Sequence, residues 1–317
     1  MNTYGVEIES VGLTETELKD AIESVAGLTY VGHFPYHGLQ RRFGTRSKVN
    51  GNNHLWGSED DSSLRNDTGR GIAHEVVSPI MYGNNGLKEV ARVMKAMTRA
   101  GAKVNKSCGT HITTCLYNSA RFNRMSSKRQ SHTLNKMIEA YLYFYAEGFC
   151  AVVSPSRREF SPTRSTYGGF NAFRDLENGY CADAMEFGVG EVGNASYQIQ
   201  RKSMSRDAFN ISKFSTSGLI EFRQHQGTLN GEKITAWCKL LTGLFHWALN
   251  ENHPNYGKDL REFEPSFEGM LECLNIKVQT ARVLRERKAH FEGGFMPSNN
   301  FMRSAYNRFQ MNRELNA

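Results

Sequence analysis

The 317 residues contain no uninterrupted apolar run of the roughly 18 to 20 residues that a helical membrane span requires, so no such span is expected. The opening stretch MNTYGVEIES has neither the basic start nor the apolar core of a secretory leader, and a cytoplasmic protein is expected. The six cysteines (Cys108, Cys115, Cys150, Cys181, Cys238, Cys273) form no CxxC pair, which leaves small buried thiols as the ordinary reading. No internal repeat is apparent. With 39% hydrophobic and 22% charged positions the chain can build one large domain or two small ones. Its net charge of +7 fits a polyanionic partner or a site for phosphorylated substrates without deciding between them.

Strand and helix periods interleave along the chain. Tyr4 to Glu9 alternates, with Val6 and Ile8 on one face and Glu7 and Glu9 on the other. Thr14 to Val25 reads as a helix opened by a Thr14/Glu17 capping box and ended by Gly27. His33 to Arg70 is rich in Gly, Asn, Asp, Ser and basic residues and reads as a loop region. Strands are expected at Ala73–Pro79, Gly109–Cys115, Ala208–Ser212 and Gly218–Gln224, the last two joined by a tight turn. Helices are expected at Leu87–Arg99, Leu134–Phe149, Gly231–Asn250 and Ile276–His290. The last of these carries a basic face of Lys277, Arg282, Arg285, Arg287 and Lys288, and Ser154 to Tyr180 reads as a substrate-facing loop.

Residues i and i+2 of a strand share a face, so the Glu7 and Glu9 carboxylates stand about 6 to 7 Å apart. Like charges this close repel unless a cation intervenes, and a divalent metal with phosphate oxygens is one solution. Taken alone, the pair is equally the exposed face of an ordinary strand. Further acids follow: Asp61 in Asp61-Ser62-Ser63-Leu64, and Glu75 at the head of the apolar Glu75-Val76-Val77-Ser78-Pro79. Gly109 turns the chain into a strand that presents His111, a borderline ligand for a divalent metal or a structural histidine. Glu221 and Arg223 share a strand face, where the acid can hold metal and the guanidinium can fork onto phosphate, or the two can form a salt bridge.

In order, these motifs resemble the glutamine synthetase-like superfamily of carboxylate–amine ligases, most closely its amidoligase branch. They stand as Tyr4-Gly5-Val6-Glu7-Ile8-Glu9, Trp56 with Asp61-Ser62-Ser63-Leu64, Glu75 to Pro79, Gly109-Thr110-His111, Arg206 with Asn210, and Ile220 to Arg223. Thr113 departs from the pattern, standing where the branch has a second histidine. The resemblance implies an α+β fold, a curved antiparallel sheet with the site on its concave face and helices packed behind. A catalytic domain over residues 1–260 and a helical extension over 261–317 packed on it are expected. It further implies that Glu7, His111 and Glu221 hold one Mg²⁺ or Mn²⁺ ion, and Glu9, Asp61 and Glu75 a second.

The implied reaction is ATP-dependent. The γ-phosphoryl group passes to a carboxylate, and an amine then displaces phosphate to leave an amide or peptide bond. In it Arg223 steadies the transferred group, Asp61 favours amine binding and takes its proton, and Arg206 and Asn210 contact phosphate or carboxylate. Arg157 and Arg158 are candidate anchors for an acidic substrate, or solvated surface arginines. The carboxylate and amine partners extend from small molecules to peptides and proteins, no membrane partner is expected, and the oligomeric state is open. A metal-dependent nuclease would also gather acids and suit a basic surface, but nothing like ExK follows Glu75. A non-catalytic nucleic-acid-binding protein would account for the basic clusters and leave the acidic strands unexplained.

Overall fold

The computed structural model describes residues 3–36, 38–39, 55–145, 147–158, 208–210 and 214–291. Two compact units make up the chain: residues 1–114 with 225–235, and residues 115–224 with 236–317.

The first unit runs β1 (Thr3–Leu13), α1 (Glu15–Glu23), β2 (Thr29–Phe34), β3 (Leu55–Glu59), β4 (Ile72–Val77), β5 (Met81–Tyr82), α2 (Gly83–Ala100) and β6 (Gly109–Cys115). Its strands form an open sheet in the order β2-β3-β4-β1-β6, with β5 paired to the start of β1. The β1/β4, β3/β4 and β1/β5 pairs are antiparallel and β2/β3 is parallel, so the α+β class and a mostly antiparallel sheet are what the chain adopts. Ile8 opposes Val76, which in turn opposes Ser58, and directly opposed residues share a face. That face packs on α1 and α2: Trp56 is fully buried, and its indole N–H donates to Glu89 of α2 at 2.9 Å.

The helices begin and end where local chemistry dictates. Thr14 and Glu17 close the capping box, each side chain bonded to the other residue's backbone N–H, and Leu18, Ala21 and Ile22 are buried behind it. α2 buries Leu87, Val90, Val93, Met94 and Met97 and stops at Gly101, whose φ of 100° is the left-handed conformation that glycine adopts without strain.

The loop assigned to His33–Arg70 contains β3, a strand with neighbours on both sides. Gly57 and Glu59 occupy one face of β3 and only Trp56 is a large apolar residue on the other, so the strand is held by its ladders rather than by an apolar stripe.

The second unit contains α3 (Ser127–Tyr143), β7 (Phe209–Asn210), most of β8 (Leu219–Gln226) and of α4 (Gly231–Leu249), α5 (Phe267–Cys273) and α6 (Val278–Phe291). Its core is aromatic: Tyr141 stacks 4.5 Å from Phe149 and 5.1 Å from Phe209, and Phe209 meets Phe222 at 5.0 Å. The Tyr141 hydroxyl donates to Gln224 at 2.7 Å, which satisfies it inside this core. β7 and β8 are antiparallel, but a single helical turn at Phe214–Ser217 lies between them where a tight turn was expected.

The basic face assigned to α6 is also revised. Arg282 pairs with Glu286 at 2.5 Å and Arg285 with Glu268 at 2.6 Å, while Arg287 points inward and is 5% exposed. Burial pulls the Arg287 guanidinium down to about 10, and the Val152 carbonyl accepts from its Nε and Nη2 at 3.0 and 2.8 Å. Arg287→Ala removes both bonds and leaves a cavity, so urea unfolding should show a loss of about 2 kcal/mol. Arg282→Ala, on the exposed side, should change stability by less than about 0.5 kcal/mol.

Cys108, Cys150, Cys238 and Cys273 are buried thiols, Cys115 is half-buried, and Cys181 lies outside the described residues. Among the described residues no helix is long and apolar enough to cross a membrane.

Candidate metal centre

The face of the sheet opposite α1 and α2 carries acids in register. Glu9 of β1 directly opposes Glu75 of β4, and Glu75 directly opposes Glu59 of β3, so three carboxylates form a row across three adjacent strands. Glu7, two residues before Glu9, stands on the same face. None of the four lies on the solvated strand face that an isolated ExE suggests: Glu7 is 7%, Glu9 3%, Glu59 7% and Glu75 8% exposed. Ionised carboxylates are seldom buried without a cation or a set of donors to hold them.

Asp61 reaches the row from the turn that follows β3. One oxygen from each of Glu9, Asp61 and Glu75 can be chosen so that all three lie within 4.8 Å of one another. Two of these acids are oriented by backbone donors. The Gly109 N–H donates to Glu9, and the Ser63 N–H donates to Asp61 Oδ1 at 2.6 Å, closing a tight turn around Asp61. A set of three carboxylates suits a hard divalent cation such as Mg²⁺ or Mn²⁺.

His111 is 2% exposed and stands at the same end of the row, with Nδ1 3.5 Å from Glu7 and Nε2 3.5 Å from Glu9. An imidazole between two carboxylates can give one nitrogen to a metal while the other is held by an acid. Thr113, two residues on and so on the same face of β6, is 8% exposed. It supplies a hydroxyl where the motif would supply a second imidazole.

Tyr4 and Ser78 of the motifs, and Asn105 outside them, set backbone paths. Tyr4 donates its hydroxyl to the Gly83 carbonyl at 2.6 Å, fixing the start of α2. Ser78 accepts the Val6 N–H at 2.8 Å through its hydroxyl and so carries the β1/β4 pairing past the end of β4. Asn105 donates to the Arg65 carbonyl at 2.7 Å and to Asp67 at 2.8 Å, while the Arg65 N–H donates to Ser107 at 3.1 Å. These bonds tie the segment after Asp61 to the turn that ends in Gly109.

Glu221 and Arg223 belong to the second unit, where they share a face of β8. Arg223 Nη1 donates to Glu221 Oε1, and Asn210, directly opposite on β7, donates to Glu221 Oε2 at 2.9 Å. The same-strand salt bridge foreseen as the ordinary alternative is therefore present. Arg206 lies outside the described residues. Arg157 is half-buried in a one-turn helix at Pro155–Arg158.

Glu59 is the acid that sequence reading passed over. Gly57 and Glu59 alternate with Trp56 and Ser58, which is a strand signal, but the polar composition around them reads as loop. Its carboxylate accepts the Leu39 N–H at 2.9 Å.

Residues 1–144 match a family model described as putative amidoligase enzyme. No curated protein matches the chain, and no solved structure does.

Proposed function

We propose that this chain, whose residues 1–144 match the amidoligase family model, is an ATP-dependent carboxylate–amine ligase whose metal centre is built on Glu9, Asp61 and Glu75. The observation that carries this reading is the meeting of those three acids, from two strands and a turn, with oxygens within 4.8 Å inside the matched segment. Glu7 and His111 extend the centre as a further ligand pair.

A carboxylate resists substitution because its oxygen is a poor leaving group. Attack of that oxygen on the γ-phosphorus of ATP expels ADP and forms an acyl phosphate. An amine then attacks the acyl carbon, phosphate leaves with the C–O bonding pair, and the amine gives up a proton. Net, acid, amine and ATP become amide, ADP and phosphate. When bound, Mg²⁺ or Mn²⁺ neutralises the phosphate charge that would otherwise repel the attacking carboxylate. The protein's own part is to hold the acids in place: Gly109 orients Glu9, and Ser63 orients Asp61. Asp61, the least buried of the three, is the acid best able to take the amine proton. Arg223, braced by Glu221, is suited to phosphate oxygens, Glu221 is a further candidate ligand, and Asn210 and Arg206 are candidate contacts to nucleotide.

The test is a screen of the protein with ATP, Mn²⁺ and pooled carboxylates and amines, followed by mass spectrometry of the products. The expected result is phosphate release that requires both pools and yields a product lighter by one water than its two precursors. ATP hydrolysis indifferent to both pools, or cleavage of nucleic acid under the same conditions, would contradict the proposal.

A further inference from the structure

Asp60 and Asp61 are adjacent acids with opposite surroundings. β3 places Trp56 and Ser58 on the helix-packed face and Gly57 and Glu59 on the carboxylate face. The pairing with β2 continues one residue past Glu59, where the Asp60 N–H donates to the Phe34 carbonyl at 3.0 Å. The Asp60 side chain returns to the side of Ser58, and its Oδ1 meets His33 Nε2 at 2.9 Å.

A chain of hydrogen bonds runs inward from that contact. His33 Nδ1 is 2.8 Å from the Ser58 hydroxyl, and the Ser58 hydroxyl is 2.7 Å from that of Tyr30. Ser58 is fully buried and Tyr30 is 6% exposed. Burial pushes the Tyr30 phenol up to about 12, so it keeps its proton and can donate to Ser58. One donor direction satisfies every link: Tyr30 to Ser58, Ser58 to His33, His33 to Asp60. The His33 backbone is pinned separately, its N–H donating to Glu15 of α1 at 3.1 Å. Its ring meets the fully buried His74 ring edge-on at 5.3 Å. Burial holds the His74 imidazole below the usual histidine range, so it stays neutral beside His33.

We infer that the Tyr30–Ser58–His33–Asp60 chain is a positioning device for Asp61, anchoring Asp60 on the far side of β3 so that the next residue is delivered to Glu9 and Glu75. The inference rests on the metal centre proposed above. Asp60 is not among the three proposed ligands, and its effect passes through the backbone it shares with Asp61. Hydrogen-bonded groups behind metal ligands commonly change metal affinity by about 10- to 100-fold.

Binding of Mn²⁺ alone, followed by the electron paramagnetic resonance signal of the free ion, tests this without any turnover. Asp60→Ala should weaken binding about tenfold. Asp60→Asn, which keeps an oxygen for His33 Nε2–H but removes the charge, should bind like the wild type. His33→Phe, which keeps a ring but has no donor, breaks the same link from its other side and should match Asp60→Ala, so the test survives if one variant fails to fold. In an Asp61→Ala background, Asp60→Ala should have no further effect. Equal weakening by Asp60→Ala and Asp60→Asn would make the effect one of charge and overturn the inference. So would wild-type Mn²⁺ affinity in both Asp60→Ala and His33→Phe. Failure of the underlying metal reading looks different: Asp61→Ala alone would then leave Mn²⁺ binding unchanged.

Discussion

Glu9→Gln should lower acceptor-dependent ADP formation by at least about 10³-fold, equivalent to about 4 kcal/mol of lost transition-state stabilisation. The substitution is nearly isosteric, and its amide oxygen can still accept the Gly109 N–H that orients Glu9. What disappears is one negative charge at the position that meets Asp61 and Glu75. Circular dichroism and thermal unfolding of the variant should therefore match the wild type or improve on it, because carboxylates crowded on one buried sheet face repel. Steady-state kinetics with saturating ATP, run beside those measurements, separates lost chemistry from lost fold. A Glu9→Gln protein that turns over at the wild-type rate removes Glu9 from the mechanism.

The second large effect concerns stability. If Glu9, Asp61 and Glu75 hold a divalent ion in the folded protein only, Mn²⁺ at a hundred times its dissociation constant should stabilise the protein by about 2.7 kcal/mol. For a folding unit of the size of the first, residues 1–114 with 225–235, that is a rise in melting temperature of roughly 10 °C. Glu75→Gln and Asp61→Ala should abolish most of the rise. Glu75→Gln should also raise the melting temperature of the metal-free protein slightly, since Glu75 lies between Glu9 and Glu59 in the row. Calorimetry with EDTA and then with Mn²⁺ reads both effects. An equal rise in wild type and both variants would place the ion elsewhere.

How far the sequence carried depended on whether position or pattern held the information. β1 was readable because its alternation is strict, and α1 because Thr14 and Glu17 advertise a cap. The limits of β6 at Gly109 and Cys115 were read as they stand in the structure. β3 was not readable, because its place between β2 and β4 supplies the order that its composition lacks. Glu59 was lost with it. The inward turn of Arg287 was missed for a related reason: a guanidinium spaced like its basic neighbours reads as part of their face, and the Val152 carbonyl that accepts it is 135 positions away. The reverse holds for Glu7 and Glu9. Their spacing was visible at once, but the burial that separates a site from an ordinary strand face exists only once β4 and β6 flank β1.

The central claim is that the Glu9, Asp61 and Glu75 carboxylates hold the divalent ion that serves ATP. Anomalous diffraction at the manganese edge, from crystals grown with Mn²⁺ and a non-hydrolysable ATP analogue, tests it most directly. The account predicts a peak within about 2.0 to 2.6 Å of an oxygen from each of the three side chains, as hard divalent cations bind, with analogue phosphate oxygens on the same ion. A fully bound analogue whose manganese lies away from these three acids would contradict it.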